Sequence, residues 1–136
     1  YSRSRKPEAE RRLAAEYRPL ADLLKAADVV SLHVPGGEAT RHLLGSEQLR
    51  LMKPEAILIN VSRGTVVDEA ALAEALSCRQ IAAAGLDVYE HEPFVTEKLA
   101  KLPNVVLTPH IGCSTWETRF AMTAKAVAHI YEVLAN

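Results

Sequence analysis

The sequence predicts an α/β protein built on a doubly wound parallel sheet, and three observations carry that reading. Short runs rich in β-branched and apolar residues recur at positions 29–34, 56–61, 81–88 and 105–108. They show little polar alternation, the pattern of strands buried in a parallel sheet rather than half-solvated in an antiparallel one. Helix-forming segments separate them, and parallel neighbours need crossovers long enough to hold a helix.

The elements follow in order. Residues 7–16 (PEAERRLAAE) are strong helix formers, and Pro19 opens a second helical run over 20–27. Asp28 leads into the first strand, which stops at Pro35-Gly36-Gly37. Ser46 is placed to cap a short helix through Met52, ahead of the second strand, which ends at Ser62-Arg63-Gly64. Asp68 is placed to cap an Ala/Leu/Glu helix running to about Cys78, and the third strand ends near Asp87. Residues 89–104 hold Pro93 and Pro103 and read as a loop with one helical turn over 97–101. After the last strand, Ser114 and Glu117 have capping-box spacing. Phe120, Ala124, Val127, Tyr131 and Leu134 then recur at three- and four-residue steps, which predicts a long amphipathic helix.

Composition limits the partners. The 136 residues, 49% of them hydrophobic, suit one soluble domain with one core. Sixteen basic against seventeen acidic residues leave a formal charge of -1, which favours neither nucleic acid nor an anionic membrane. No apolar run approaches the ~20 residues of a membrane span, and the Arg-rich start lacks the apolar stretch of a signal peptide. Cys78 and Cys113 lie far apart without metal-site spacing, so a cytoplasmic protein with a small-molecule partner is expected. His42, His91 and His129 are scattered without helical metal-ligand spacing and read as surface residues, so no metal is expected. Trp116 reads as a packing residue.

In an open α/β sheet the ligand crevice lies beyond the carboxyl ends of the strands. The loops there hold His33 and Pro35, then Ser62 and Arg63, then Asp87 through Glu92, and last His110 and Gly112. Arginine matches a carboxylate bidentately and keeps its charge, so Arg63 suits an anionic 2-oxo or 2-hydroxy acid, although an arginine paired with a local acid is the plain alternative. Histidine carries protons near neutral pH and a carboxylate stabilises the imidazolium, so His110 and Glu92 form a sensible acid/base pair. A histidine behind a proline is also common as a structural residue. Asp87 either meets the nicotinamide end of a dinucleotide or caps the loop that follows. His33 and Pro35 either line a cofactor wall or, for Pro35, stop a strand. Arg3, Ser4 and Arg5 form either a solvated charged terminus or the loop that meets an adenosine ribose, where arginine accepts a 2′-phosphate. Ser62 and Gly112 complete the candidate cofactor contacts.

Three stretches, SLHVPGGEATRHLLGSEQLRLMKPEAILINVSRGTVVDEAALAEAL, AAAGLDVYEHEP and NVVLTPHIGCST, strongly resemble the D-isomer-specific 2-hydroxyacid dehydrogenases over almost the whole chain. The resemblance implies a Rossmann-like fold and assigns Arg63 to the substrate carboxylate and carbonyl, Glu92 to pairing with histidine, and His110 to proton transfer. It also implies NAD or NADP as cofactor and a homodimer as the working form. Within the family, YSRSRKPEAE and EPFVTEKLAKLPNVVLTPHIG look most like glyoxylate or hydroxypyruvate reductases, and Arg3-Ser4 resembles the NADP(H)-preferring members. Formate dehydrogenases place a glutamine where Glu92 stands. Gly36-Gly37 departs from the bulkier residue and Thr or Ser common in relatives.

The family's G-x-G-x-x-G loop is not found in these residues and is expected before Tyr1. Residues 1–136 therefore read as a partial dinucleotide-binding domain, incomplete at its N-terminus and lacking the first strand and the separate substrate domain. Such a chain alone is expected to be inactive and poorly soluble. Two alternatives within the family stay open, a phosphoglycerate dehydrogenase and a dinucleotide-sensing corepressor; a corepressor keeps the same trio, but no long disordered tail is present. A hydrolase using Ser62, His110 and Asp87 lacks the G-x-S-x-G nucleophile elbow.

Overall fold

The computed structural model describes residues 1–135. Four parallel strands, β1 (Val29–Leu32), β2 (Ile57–Asn60), β3 (Ala83–Leu86) and β4 (Val105–Leu107), lie in the order β1-β2-β3-β4. The recurring apolar runs are thus strands, and the intervening segments are the crossovers that parallel pairing requires.

Register decides which residues are hidden. Val30, Leu58, Ala84 and Val105 lie in one row across the sheet, and Leu32, Asn60, Leu86 and Leu107 in another. Side chains alternate along a strand, so both rows face the same side. There α2 (Leu20–Ala26), α3 (Ser46–Leu49), α4 (Glu69–Ser77) and α5 (Glu97–Ala100) pack side by side, with Leu24, Leu49, Leu58, Leu72, Leu76 and Leu99 wholly buried. Each such side chain contributes about 1.5–3 kcal/mol through burial. The opposite face carries Val29, Ile57 and Val106, the last 68% exposed. Uninterrupted apolar runs imply cover on both faces, but within this chain one face is covered.

Local termini explain where the observed elements differ from the expected ones. α1 (Pro7–Arg12) is shorter than the helix-forming composition of 7–16 implies. Ala14 turns left-handed at φ 49°, and the Ala15 N–H donates back to the Glu10 carbonyl at 2.8 Å. That is a Schellman-type stop without the glycine that usually signals it. Arg79 and the Gln80 N–H to Ala75 bond end α4 in the same way. Asp68 caps α4 as expected, accepting from the Ala71 N–H at 2.9 Å. Gly45 rather than Ser46 caps α3, its N–H bonded to the Gln48 side chain. At α6 (Trp116–Leu134) the cap is Thr115, one residue beyond Ser114, accepting from the Thr118 N–H. The amphipathic helix forms, yet no residue of α6 is buried, and Trp116, expected to pack, is 80% exposed.

Leu58→Ala should lower stability by roughly 2–5 kcal/mol, the range for emptying a well-packed leucine site. Val106→Thr, on the open face, should change it by less than about 0.5 kcal/mol. Urea denaturation of the chain checks both; equal losses would show that the two faces are buried alike.

Candidate active site

The four strands run parallel, so the loops after them gather at one end of the sheet. They enclose an open cavity of about 1060 Å³ lined by His33, Pro35, Gly36, Ser62, Arg63, Glu92 and His110 among others.

Arg63 is aimed by the turn that ends β2. The Asn60 side chain, 1% exposed, accepts from the Ser62 N–H at 3.1 Å and the Ser62 hydroxyl at 2.9 Å, and donates to the Arg63 carbonyl at 3.1 Å. This is an Asx-type turn. Arg63 Nη1 donates to the Ser62 carbonyl at 2.6 Å, which steadies the guanidinium while leaving most of its fork unspent. A Cβ on Gly64 would sit 1.8 Å from the Tyr89 carbonyl carbon and oxygen and 2.4 Å from the Glu90 nitrogen. Only glycine permits that approach, which fixes the Arg63 loop against the loop that carries Glu92. Gly36 leaves room on the other side, because a Cβ there would lie 2.8 Å from Arg63 Cγ.

Glu92 and His110 are hydrogen-bonded, Nδ1 to Oε2, at 2.9 Å. The other Glu92 oxygen accepts from the Tyr89 N–H at 3.1 Å. The bond to His110 holds the Glu92 carboxyl below its ordinary range; burial opposes this, while the Tyr89 N–H and the charges of His110 and Arg63 assist it. An ionised acceptor at Nδ1 leaves Nε2 as the nitrogen free to exchange a proton.

His110 is itself in a left-handed conformation, φ 51°, which a non-glycine residue adopts at a cost. Asp87 holds it there. One Asp87 oxygen accepts from the Thr108 hydroxyl at 2.6 Å and the Ile111 N–H at 2.9 Å, and the other accepts from the Gly112 N–H at 2.8 Å. Burial pushes the Asp87 carboxyl up, but these bonds together with the charge of His110 outweigh it and keep the group ionised below its usual range. Tyr89, whose hydroxyl is pushed up chiefly by burial, donates to the Thr108 carbonyl at 2.7 Å.

The model of the D-isomer specific 2-hydroxyacid dehydrogenase, NAD binding domain, matches residues 1–112. The chain belongs to this family. It is 57% identical over 122 residues to a glyoxylate reductase of Thermococcus litoralis, covering 90% of this chain and 37% of that protein. Among solved structures it resembles the NAD-complexed D-isomer specific 2-hydroxyacid dehydrogenase of Lactobacillus delbrueckii ssp. bulgaricus, with TM-score 0.84 and 34% identity over 100% of this chain and 45% of that one. It also resembles the NADPH-dependent glyoxylate/hydroxypyruvate reductase of Sinorhizobium meliloti in complex with NADP and malonate, with TM-score 0.78 and 42% identity over 81% of this chain and 34% of that one. The chain thus spans less than half the length of the relatives it matches.

Within this dehydrogenase domain the expected residues fall into three groups. Arg63, Glu92 and His110 share the large cavity with Ser62, His33 and Pro35. Arg3 and Ser4 line a second cavity of about 430 Å³, and His33 and Pro35 belong to its wall too, so the two spaces adjoin. Asp87 and Gly112 line neither; they bond to each other and brace the His110 loop. A Ser62–His110–Asp87 relay is not formed, because Ser62 donates to Asn60, Asp87 accepts from Thr108, and His110 pairs with Glu92.

Several contributors escape a reading of the sequence. His42, expected at the surface, is half-buried with Nε2 2.6 Å from a Glu90 carboxylate oxygen. Glu69 is buried beside the same loop. Asn60 alone had a local signal, the Asn-x-Ser spacing of an Asx turn. Among the described residues no cluster of three metal-ligating side chains occurs.

Gly64→Ala should separate the two loops and cost more than about 3 kcal/mol or fail to fold, since a backbone clash admits no side-chain adjustment. Near-native stability would refute the close approach. The acid response provides a second check. Asp87 and Glu92 titrate lower folded than unfolded, so the stability they contribute is complete above about pH 5 and is lost as pH falls through their folded values. Asp87→Asn should therefore flatten the fall in unfolding free energy below about pH 4. An unchanged slope in a urea and pH series would remove Asp87 from that role.

Proposed function

We propose that the protein carrying this chain reduces a small 2-oxo acid of the glyoxylate or hydroxypyruvate kind to the D-2-hydroxy acid, with NADPH or NADH. The observation that carries the reading is one cavity lined both by Arg63, steadied by its bond to the Ser62 carbonyl, and by the hydrogen-bonded Glu92–His110 pair. Residues 1–136 then form the C-terminal part of the nucleotide-binding domain, with the first strand, the glycine-rich loop and the substrate domain supplied by other segments. Supporting this, β1 is an edge strand and the second cavity lies along it, against Val30, Ser31 and Leu32.

In this reading the Arg63 fork binds the substrate carboxylate and draws on the adjacent carbonyl oxygen. His110 Nε2 gives its proton to that oxygen as negative charge develops, and Glu92 holds the ring in register and stabilises the imidazolium beforehand. After transfer His110 is neutral and is reprotonated from solvent. Reduced nicotinamide, when bound, is the source of hydride. The residues fit a dinucleotide: the small cavity offers Arg3, Ser4 and Lys6 for the adenosine end, and it adjoins the catalytic space through His33 and Pro35. Arg5 is tied to Glu10 at 2.6 Å, whereas Arg3 forms no ion pair among the described residues. Arg3 is thus the one of the two arginines available for a 2′-phosphate, which supports a preference for NADPH. Two free, exposed thiols fit the reducing cytosol, and the uncovered apolar residues of α6 fit an assembly such as a homodimer.

In the intact protein Arg63→Ala should lower kcat/KM for glyoxylate by roughly a thousandfold, and Arg63→Lys should restore little because the planar fork is gone. Near-normal kinetics would refute the role. Arg3→Ala should raise KM for NADPH about tenfold and leave NADH nearly unchanged, as for one lost charged contact. Equal changes with both cofactors, followed by absorbance of the reduced nicotinamide, would refute the preference.

A further inference from the structure

Glu69, 5% exposed, is the first residue of α4, and its carboxylate takes no part in capping that helix, which Asp68 does. A buried carboxylate costs stability unless its oxygens are hydrogen-bonded, so its partners show what the position serves. One oxygen accepts from the Glu90 N–H at 2.6 Å and the other from the Thr96 hydroxyl at 2.5 Å. Those two residues lie on either side of Glu92 in the chain. The loop is thus held before and after the residue that orients His110, whereas Glu92 itself is tied locally by the Tyr89 N–H alone besides His110.

The restraint continues outward. The Glu90 side chain receives His42 Nε2 at 2.6 Å and Arg41 Nη2 at 3.1 Å, and the His42 N–H donates to the Thr65 carbonyl at 2.8 Å, one residue past Gly64. The same backbone that Glu69 grips therefore connects back to the loop bearing Arg63. The electrostatics agree, because the N-terminal turn of α4 favours a negative group there.

We propose that Glu69 is a positioning residue for proton transfer: it clamps the Glu90–Thr96 segment so that Glu92 meets His110 Nδ1. This rests on the proposed reductase function. Glu69 touches neither the cavity nor His110, so it acts through Glu92.

The test uses the intact protein with Glu69→Ala, Glu69→Gln and Thr96→Val. Glu69→Ala should lower kcat for glyoxylate about tenfold or more, as a small misplacement of a reacting group does. KM values should stay within about twofold, since binding groups are untouched. The solvent deuterium isotope effect on kcat should rise. Glu69→Gln, which keeps an acceptor for Glu90 and a donor toward Thr96, should recover most of the rate, and Thr96→Val should fall between. Adding Glu69→Ala to Glu92→Gln should cost less than about a further twofold if both act on one step. Independently of turnover, the ¹⁵N-detected His110 Nδ1–H resonance hydrogen-bonded to Glu92 should vanish in Glu69→Ala and persist in Glu69→Gln. An unchanged resonance and rate in Glu69→Ala, full additivity with Glu92→Gln, or no rescue by Glu69→Gln would each overturn the proposal. If the unmodified protein reduces no 2-oxo acid, the function assignment fails, and the resonance still decides the role of Glu69.

Discussion

The site depends on one steric constraint, the backbone-to-backbone contact between Gly64 and the Tyr89–Glu90 peptide. β2 and β3 are neighbours in the sheet, so their following loops start side by side. Adjacent loops that both carry side chains at the contact would splay by the width of a Cβ. Removing it at Gly64 brings the chain bearing Arg63 against the chain bearing Glu92, and both residues line one cavity. Asn60 and Glu69 then act on either flank of this contact, the first by turning the Arg63 loop and the second by gripping the Glu92 loop. The polar network presupposes the glycine, because hydrogen bonds of 2.6–3.1 Å tolerate no such separation.

Two carboxylates near His110 divide their work by environment. Asp87 is buried and spends both oxygens on Thr108, Ile111 and Gly112, so it is a structural anchor for a backbone held left-handed. Glu92 is partly solvent-exposed and spends one oxygen on the imidazole. A mobile, hydrated carboxylate would orient the ring poorly, whereas a deeply buried one would resist the change in imidazole charge during proton transfer. Glu92 lies between these limits, with its backbone fixed and its carboxylate half in water.

The parts legible from sequence are those whose cause is local. Uninterrupted apolar runs located all four strands to within a few residues, and Asp68 announced the start of α4. The strand-end rule gathered Arg63, Glu92 and His110 at one cleft and the chemistry of histidine paired His110 with Glu92, whereas the separate roles of the three came from the family resemblance. The end of α1 was hidden because Ala14 takes a conformation that glycine normally advertises. Ser114 and Thr115 are equally capable caps by type, and only geometry selects Thr115. Glu69 and His42 find their partners 21 and 48 residues away, so nothing beside them in the chain marks them as part of the site.

Polar and apolar requirements are met to different extents here, and the contrast has a physical origin. Among the described residues no buried side-chain nitrogen or oxygen lacks a partner, so the hydrogen-bonded end of the sheet is internally complete. Apolar surface is not: one face of the sheet and the whole of α6 stay uncovered. Hydrogen bonds are satisfied by groups within about 3 Å, whereas burial of a sheet face requires an entire further layer. If this chain is the C-terminal part of a nucleotide-binding domain, as proposed, the division is the expected one. The loops that hold Arg63, Glu92 and His110 are shaped within it, while the layer that would dry the open face, and with it the cleft, comes from elsewhere. On that reading the geometry of proton transfer is set before the cleft is closed, and closure supplies the exclusion of water that strengthens the Arg63 and His110 contacts with the substrate.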